Sequence, residues 1–459
     1  MKTKYDFKSI FKNKLNSLLE KFHYNVSEID SINIDIKKIK KIKNNDEQLS
    51  SAKQLVQKHP NDPKVHFNFT ELLFRNFNKD WIPHSHEYAK KRTIWIKENN
   101  LENINMEFIG SETVNGSLGN HITIEGLVNA NNFNLRPKKN ITLLLPEYLK
   151  LRNKTLFSYF KPHINVISKE KIINTLKNLE SYLSIPMGFL IPLENKSIFH
   201  EFLPAIIEQK KKENNITKPF FILNKEDKKR GEDILKKIGI KNTNWHVTLH
   251  VREPGYRGET KSNTNEKFRN SNINNFIKSI KLITDKGGWV FRMGDPSMQK
   301  LPKMNNVVDY AHSNIRSEFM DVYLGATSKF CIGTPSGYYT IPSFFGVPVL
   351  LTNLSQLSTY YSLTGKDIFI PRFIKQKNTD KYLNFNELLS HPYLHFYSDK
   401  FYEKNNLVTE ENKSEDITDA TQEIIERVFK EENNQQDPLQ SKFKNLANKN
   451  IYSLINQKI

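Results

Sequence analysis

The sequence predicts an α/β fold built around a doubly wound parallel sheet, and two observations support this class. Between residues 245 and 353, short runs of apolar and β-branched residues alternate with stretches whose apolar residues recur at helical spacing. A second, shorter series of the same kind begins near residue 105. Because strands that alternate with helices form parallel sheets with helices on both faces, we expect two Rossmann-like domains.

The larger series begins with a strand-like run at 245–252. An amphipathic helix follows, with Asn272 as its N-terminal cap and Gly287 and Gly288 as its end. The later predicted elements are strands at 288–295, 306–311, 330–334, 347–353 and 367–371, a short helix at 335–345, and longer helices at 316–328 and 416–430. The spacing leaves room for a helical crossover between most successive strands, as a parallel sheet requires.

Four regions are expected along the chain. They are a helical extension at 1–100, an N-terminal Rossmann-like domain at 101–225, a C-terminal Rossmann-like domain at 226–410, and a terminal helix with a polar tail at 411–459. The N-terminal domain has predicted strands at 106–110, 141–145 and 164–167, mainly helices over 170–240, and either a strand or a linker at 220–224. The polar tail is expected to be partly disordered as far as Phe443.

The N-terminal extension combines a helix pair with a basic run. Residues 48–98 resemble a tetratricopeptide helix pair, with Pro63 suited to the first turn of its second helix, but the 34-residue period is not repeated. Isoleucine recurs at every third position between Ile36 and Ile42, among lysines. Such a helix either contacts an anionic membrane surface peripherally or lies solvated on the rim of the fold.

Net charge, cysteine content and the distribution of apolar residues indicate which partners and which cellular compartment to expect. The 459-residue chain carries a formal net charge of +19, which favours acidic partners such as nucleic acid, anionic lipid or phosphorylated substrates, unless it reflects only a lysine-rich composition. Cys331 is the single cysteine, so no internal disulfide can form, which fits a reducing cytoplasm. Residues 1–24 mix charges throughout, unlike a signal peptide, and no apolar run approaches the roughly 18 residues of a membrane span. We therefore expect a cytoplasmic protein that is at most peripheral to a membrane.

Polar side chains follow the predicted strands of the larger series. They are His250 and Arg252, Arg292 and Asp295, Asp309 and His312, and Thr334 and Ser336. In doubly wound sheets, ligands bind beyond the carboxyl ends of the strands, where these residues are expected to lie. Arg252 offers a planar fork that holds a diphosphate through two hydrogen bonds, and His250 either orients it, contacts the same phosphate or only packs. Glu253 is either a general base or an ion-pair partner of Arg252.

Two turns and one loop complete the candidate site. At Thr334-Pro-Ser-Gly337, a helix that begins at Pro335 would direct the N–H groups of Ser336 and Gly337 at an anion. Gly116-x-x-Gly119 suits the first loop of the N-terminal domain but is not a full dinucleotide fingerprint. Arg257 and Arg269 bracket a long polar loop, which is expected to be functional or disordered, and a loop that closes over a substrate would be both.

Five segments together resemble a bacterial family of glycosyltransferases linked to surface polysaccharides. They are His-Val-Arg-Glu-Pro-Gly-Tyr at 250–256, Gly-Gly-Trp-Val-Phe-Arg-Met-Gly-Asp-Pro-Ser-Met at 287–298, Val-Asp-Tyr-Ala-His-Ser at 308–313, Phe-Cys-Ile-Gly-Thr-Pro-Ser-Gly at 330–337 and Phe-Gly-Val-Pro-Val-Leu-Leu-Thr-Asn at 345–353. The resemblance covers roughly 240–375. The His-x-Arg strand is also similar to that of GT-B fucosyltransferases, which usually carry an acidic residue where this chain has Gly255.

The resemblance implies a GT-B-like protein with two Rossmann-like domains facing a cleft and a final helix that crosses back. It implies that a nucleotide sugar, GDP- or UDP-linked, binds to the C-terminal domain and a glycan or lipid-linked acceptor faces the N-terminal one. No cofactor or metal is implied, because protein cations stabilise the leaving diphosphate. The expected donor contacts are His250, Arg252, Arg292, Asp295, His312, Ser313, Thr334, Ser336 and Gly337, and the expected catalytic residues are Glu253, Arg252 and His121, with Glu125 as a further candidate base.

Other functions stay open at this stage. One is a related transferase that moves a pyruvyl or phosphate-linked group onto polysaccharide. Another is a non-catalytic scaffold for glycan assembly, although the strand-end arginines argue against a degenerate site. A nucleic-acid binder is disfavoured, because aromatic residues are not interleaved with basic ones on any predicted strand. The expected reaction is transfer of a hexosyl or deoxyhexosyl group.

Overall fold

In the computed structural model, the described residues are 26–102, 105–177, 180–183, 190–193, 196–199, 203–241, 243–255, 266–357, 366–396, 398–430 and 437–455. Arg257 and most of its polar loop lie outside these residues, as does the mixed-charge N-terminus. Within the described ranges, no helix combines the length and the apolar character needed to cross a membrane.

The described part of the N-terminal region, residues 26–102, is mainly helical, as predicted. Its helices are α1 (Val26–Ile39), α2 (Asn45–Lys58), α3 (Pro63–Arg75) and α4 (Trp81–Glu98). Pro63 stands in the first turn of α3, and the side chain of Asp62 caps the helix by accepting from Lys64 and Val65 N–H groups. Ile32 and Ile36 of α1 are buried against α2 and α3. Of the isoleucines predicted to share one helix face, Ile36 is buried, whereas Ile39 and Ile42 are half-buried and Ile42 lies beyond the end of α1.

The N-terminal α/β unit has a three-stranded parallel sheet in the order β1-β2-β3. The strands are β1 (Met106–Ile109), β2 (Asn140–Leu144) and β3 (Asn165–Ile167), and the helices are α5 (Glu112–Asn115), α6 (Ile122–Asn132), α7 (Lys154–Phe160), α8 (Glu170–Lys177) and α9 (Glu180–Leu183). An antiparallel hairpin of β4 (Leu190–Leu193) and β5 (Lys196–Phe199) follows, where helix was expected, and then α10 (Leu203–Glu213). Residues 220–224 form a linker between the two units.

The C-terminal unit has a six-stranded parallel sheet in the order β11-β10-β9-β6-β7-β8. Its strands are β6 (His246–His250), β7 (Trp289–Arg292), β8 (Val307–Val308), β9 (Cys331–Gly333), β10 (Val349–Leu354) and β11 (Ile368–Pro371). Numbered within this unit, the order is 6-5-4-1-2-3, which is the doubly wound Rossmann order read from the other edge. The predicted α/β class with two Rossmann-like units is thus confirmed.

Helices cover both faces of the larger sheet. The helices from residue 225 onwards are α11 (Lys225–Lys237), α12 (Ile277–Asp285), α13 (Glu318–Thr327), α14 (Thr340–Phe344), α15 (Phe385–Leu388), α16 (Asp399–Lys404), α17 (Ser414–Phe429) and α18 (Pro438–Ile455). On one face, Val247, Leu249 and Val251 pack against α12 and α17. Side chains of a strand alternate between faces, so His246, Thr248 and His250 point to the opposite face, towards α13.

Several elements differ from the prediction. The strand expected at 306–311 shortens to β8, and Tyr310–His312 forms a 3₁₀ turn. A small antiparallel pair joins β12 (Phe373–Gln376) to β13 (Leu407–Glu410). The tail expected to be partly disordered contains α18, which contacts β5 and so returns towards the N-terminal half, as the resemblance implied.

Candidate active site

The strand order places the candidate site at the point where the sheet reverses direction. This topological switch lies between β6 and β9, the first and fourth strands of the C-terminal unit, and ligands of doubly wound sheets bind at such crevices. The segments beyond both strands are hydrogen-bonded to each other. Thr334 N donates to the His250 carbonyl oxygen at 3.1 Å, and Arg252 N donates to Thr334 Oγ1 at 2.8 Å. The ends of β6 and β9 therefore form one rigid platform.

His250 lies against the turn that follows β9. Its Nδ1 is 3.0 Å from Ser336 Oγ, and its ring stacks on Tyr338 with centroids 5.5 Å apart. Burial, together with the nearby positive charge of Arg292, lowers the pKa of His250 to about 4. The imidazole is therefore neutral near pH 7 and holds the Ser336 turn without adding a charge.

Two arginines converge on one carboxylate beside this platform. Arg252 Nη2 is 3.1 Å and Arg269 Nη1 is 2.9 Å from the same oxygen, Oε2 of Glu266. Arg252 Nη1 also donates to Asn270 Oδ1. Arg269 Nε donates to the Pro335 carbonyl oxygen at 2.9 Å, so it is tied to the turn after β9. The Glu266 side chain is 46% exposed, so two guanidinium groups hold an anionic group at the mouth of the switch point.

The segment that carries these groups is anchored from outside the sheet. The carboxylate of Asp399, at the start of α16, accepts from Lys267 N at 2.7 Å and Phe268 N at 3.0 Å. Buried Arg372 donates to the Phe268 and Asn270 carbonyl oxygens and to Ser271 Oγ. These bonds fix the backbone of residues 267–271, from which Asn270 reaches Arg252 and Arg269 reaches Glu266 and Pro335.

Arg292 belongs to a buried ion-pair network at the end of β7. Its side chain is 0% exposed, and its two terminal nitrogens lie 2.9 Å from Glu253 Oε1 and 3.3 Å from Asp309 Oδ1. The second oxygen of Glu253 accepts from Gln299 N at 2.7 Å. Glu253 thus pairs with Arg292 and not with Arg252; an ion pair with Arg252 was one of the two roles that the sequence left open. A donor-phosphate contact for Arg292 and a base role for Glu253 both stay predictions, and both require these bonds to rearrange.

The other residues predicted near β7 and β8 make local contacts. Asp295 Oδ1 accepts from Ser297 N at 2.8 Å within its own turn. His312 Nδ1 lies 2.9 Å from Asp309 Oδ2, and the Ser313 hydroxyl donates to the Tyr310 carbonyl oxygen. Through Asp309, His312 joins the network around Arg292. Donor contacts for Asp295, His312 and Ser313 stay predictions.

The turn after β9 is not the start of a helix. The helix α14 begins at Thr340 and has five residues, whereas the sequence pattern placed its start at Pro335. The expected anion site at a helix N-terminus, with Ser336 and Gly337 as donors, is therefore corrected. Pro335 fixes a turn here instead of a first helical residue, and Ser336 is held by His250.

The first loop of the N-terminal unit packs directly on this turn. An added Cβ at Gly337 would lie 2.6 Å from the amide nitrogen of Gly119, so the two backbones are in contact. Thr340 Oγ1 also lies within 3.4 Å of the Leu118 carbonyl oxygen. The Gly116-x-x-Gly119 loop and the Thr334-Pro-Ser-Gly337 turn, which were noted separately in the sequence, thus meet where the two units join.

The two N-terminal base candidates are both buried, His121 against this loop and Glu125 on α6 near Glu208 and Lys211 of α10. His121 is 0% exposed, its Nδ1 is 3.0 Å from the Leu118 carbonyl oxygen, and its ring packs on Phe160. Burial lowers the pKa of His121 to about 4. For Glu125, burial raises the pKa to about 7, and Asn129 donates to Oε1 at 3.2 Å. Glu125 therefore has a pKa suited to a general base, although both roles stay predictions.

Sequence reasoning did not identify Glu266, Asn270, Arg372 or Asp399. Arg372 and Asp399 act on a segment more than 100 positions away, so no local pattern reveals them. Glu266 and Arg269 stand three residues apart, which is a detectable ion-pair spacing, but the approach of Arg252 depends on the fold. Among the described residues, no group of three or more His, Cys, Asp or Glu side chains has an arrangement that could hold a metal ion.

No protein-family model matches the chain, and no curated protein matches it. Among solved structures, it is similar to ADP-heptose LPS heptosyltransferase II of E. coli, with 12% identity, a TM-score of 0.38 and coverage of 58% of this chain and 90% of that one. It is also similar to a family 9 glycosyl transferase from Veillonella parvula, with 10% identity, a TM-score of 0.36 and coverage of 65% and 95%. A third is the iron-containing dodecameric glycosyltransferase TibC of enterotoxigenic E. coli, with 12% identity, a TM-score of 0.36 and coverage of 71% and 76%.

Proposed function

We propose that the protein is a glycosyltransferase that moves a sugar from a nucleoside-diphosphate donor to a glycan or lipid-linked acceptor. The donor diphosphate binds at the switch point of the C-terminal sheet, and the acceptor approaches from the loop around Gly119. The donor is UDP- or GDP-linked, and the transferred group is a hexosyl or deoxyhexosyl residue.

One observation carries the proposal: two arginines hold a single carboxylate oxygen at the switch point of a Rossmann sheet. Guanidinium groups bind carboxylates and phosphates with the same fork geometry, so a site that holds Glu266 Oε2 is also suited to a phosphate oxygen. Each charge-assisted hydrogen bond contributes about 1.5–3 kcal/mol, which makes Arg252 and Arg269 sufficient for diphosphate recognition. Glu266 then leaves its place when the donor enters.

The same two arginines would promote the chemical step. When the bond between the sugar and the diphosphate breaks, negative charge grows on the leaving phosphate oxygen. Fixed positive groups at that position stabilise the transition state more than the ground state. After Glu266 has left, Arg252 is still held by Asn270 and Arg269 by Pro335, so neither has to be reoriented over a long distance.

Transfer with inversion also needs a base for the acceptor hydroxyl. Glu125 has the pKa closest to neutrality, His121 lies nearest the junction with the C-terminal unit, and Glu253 is engaged by Arg292. We propose Glu125 or His121 as the group on the acceptor side. Glu253 acts instead by fixing Arg292 at the end of β7.

Binding and turnover with a panel of nucleotide sugars test the proposal. Calorimetric titration with UDP, GDP, ADP and CMP, followed by hydrolysis and transfer assays with the matching sugars, should identify one preferred donor. Arg252→Ala should weaken binding of that nucleotide by about tenfold to a hundredfold, corresponding to a loss of about 1.5–3 kcal/mol. It should also abolish most turnover while leaving the melting temperature close to that of the parent protein.

Lys278→Ala is the matched control, because Lys278 forms an exposed ion pair with Glu415 on α17 and should leave both measurements unchanged. A protein that binds none of the nucleotides would be a scaffold, and the proposal would be wrong. Binding of nucleic acid with a steep dependence on salt, in place of nucleotides, would contradict it equally. Unchanged turnover in Arg252→Ala would remove Arg252 from the site.

A further inference from the structure

A second concave site lies between the helical N-terminal region and α16. It has a volume of about 430 Å³ and is bordered by the end of α3, the connection between α1 and α2, and α16. Four cationic side chains line it: Lys40, Arg75, Lys400 and Lys404. Volumes of roughly 300–1,000 Å³ are typical of small-molecule sites, so the space suffices for more than a single inorganic ion.

The walls of this cavity are held rigidly by aromatic packing. The ring of Phe77 packs against Phe396 and Phe401, with centroids 5.4 Å and 5.3 Å apart, and Phe74 packs on Phe396 at 5.4 Å. Phe77 has a φ of +55°, which is uncommon for a bulky residue and is maintained here by these contacts. The helical region is thus fastened to the segment before α16, and the cavity between them is preformed.

The charges that line the cavity are unbalanced. Glu71 is the one acidic residue of the lining, and it pairs with Arg75 at 2.5 Å and with Lys40 at 3.8 Å. Among the described residues, no carboxylate lies within 4 Å of the ammonium groups of Lys400 and Lys404. Lys404 Nζ instead lies 5.9 Å above the ring of Phe77. A concave surface with three excess positive charges attracts anions.

We propose that this cavity binds a phosphate-bearing anion, with Lys400, Lys404 and Arg75 as its contacts. Arg75 provides a fork for two phosphate oxygens, and the lysines act as point charges. This cavity and the switch point are separate sites, and α16 contributes different residues to each of them. Asp399 bonds to Lys267 and Phe268 of the candidate active site, whereas Lys400 and Lys404 face the cavity. This proposal stands whether or not the protein transfers sugars.

Titration of the full chain with pyrophosphate tests whether the cavity binds anions. The titration uses an Arg252→Ala background, because this substitution removes most binding at the switch point. We expect one saturable site in that background. Adding Lys400→Ala and Lys404→Ala should weaken pyrophosphate binding by about tenfold, because both lysines are exposed and their charges are partly screened by solvent. Adding Lys228→Ala and Lys229→Ala, an exposed pair on α11, removes the same charge elsewhere and should leave binding unchanged.

A second arm separates free phosphates from lipid head groups. Co-sedimentation with phosphatidylcholine vesicles, with and without phosphatidic acid, is measured for the same variants. If the Lys400 and Lys404 variant loses binding to phosphatidic acid vesicles but keeps pyrophosphate binding, the ligand is a lipid head group. If it loses pyrophosphate binding but keeps vesicle binding, the ligand is a soluble phosphate. Either result supports the site. The cavity is not an anion site if the Lys400 and Lys404 variant and the Lys228 and Lys229 variant weaken binding of pyrophosphate and of vesicles equally. The same conclusion follows if neither variant weakens binding.

Discussion

Gly119 and Gly337 meet backbone to backbone where the two α/β units join. A Cβ added at Gly337 would lie 2.6 Å from the Gly119 amide nitrogen and 3.2 Å from that of Leu118, and real Cβ atoms do not approach backbone atoms at 2.6 Å. The contact connects the first loop of one sheet to the switch point of the other. It therefore sets how closely the two halves of the candidate active site approach.

Gly337→Ala should force these two backbones apart. Overpacking of this kind costs about 1–3 kcal/mol, so we expect a lower melting temperature and weaker nucleotide binding. Gly333→Ala is a matched control in the same segment, because its Cβ would meet only ordinary contacts at 3.5 Å and 3.7 Å. Calorimetry of both variants checks this prediction. Equal melting temperatures for the two variants would contradict the importance of the contact.

Glu266 occupies the anion site formed by Arg252 and Arg269, so Glu266→Gln should favour an incoming diphosphate. Because the Glu266 side chain is 46% exposed, its ion pairs are screened and contribute only about 1 kcal/mol. We expect the dissociation constant of the preferred nucleotide to fall by about threefold to tenfold, and calorimetric titration measures it. Glu415→Gln removes an exposed carboxylate from an ion pair with Lys278 and should have no effect. Weaker binding in Glu266→Gln would show that Glu266 organises the arginines instead of competing with the ligand.

The sequence was sufficient to predict the parts of this fold that local patterns determine. The alternation along β6 places Val247 and Leu249 in the core and His250 on the other face, and the apolar spacing in α12 and α17 predicts the helices that cover that core. The right-handed crossovers of parallel strands then restrict the strand order. The strand ends of β6 and β9 could therefore be expected to meet.

The contacts at the site were less predictable, because they depend on tertiary geometry. Arg292 carries the same charge as Arg252 and also ends a strand, yet Glu253 and Asp309 bury it in an ion-pair network. Pro335 suits the first turn of a helix, but the chain forms a tight turn there instead. Gly337 lies against Gly119 in this turn, and the helix begins only at Thr340. No property of a single segment distinguishes these outcomes.

Arg372 positions the arginine-bearing segment, and Arg372→Met should loosen it. The substitution removes the donor from the buried carbonyl oxygen of Phe268, at a cost of about 1–3 kcal/mol, and from the partly buried carbonyl oxygen of Asn270. We expect faster amide hydrogen exchange in residues 267–271 and a nucleotide affinity about tenfold lower. Arg427→Met, which removes a partly buried arginine of α17, should leave exchange in that segment unchanged. Global destabilisation with no local change in exchange would indicate a purely structural role for Arg372.

Stability should fall as the solution is acidified from about pH 6.5 to pH 4, in part because of His246. Burial lowers the pKa of His246 to about 4 from the usual 6.5, so the unfolded chain binds a proton in this window and the folded chain does not. The full contribution, about 3 kcal/mol, is present above the unfolded pKa and is lost as pH falls to the folded pKa. Glu125 has the opposite effect, because burial raises its pKa from 4.5 to about 7 and its stabilising contribution is lost as pH rises through that range.

Comparison of the parent protein with His246→Gln separates the contribution of His246 to the pH dependence of stability from the contributions of Glu125 and the other titrating groups. Glutamine can still reach the Leu324 carbonyl oxygen to which His246 Nε2 is hydrogen-bonded at 3.2 Å, but it cannot take up a proton. We expect the variant to be less stable at pH 7, because the ring contact with Phe291 is lost. Its free energy of unfolding, measured by chemical denaturation, should decline less steeply between pH 6.5 and 4, by up to one proton per molecule. Parallel pH profiles for the two proteins would mean that His246 titrates similarly in the folded and unfolded chains, contrary to its burial beneath α13.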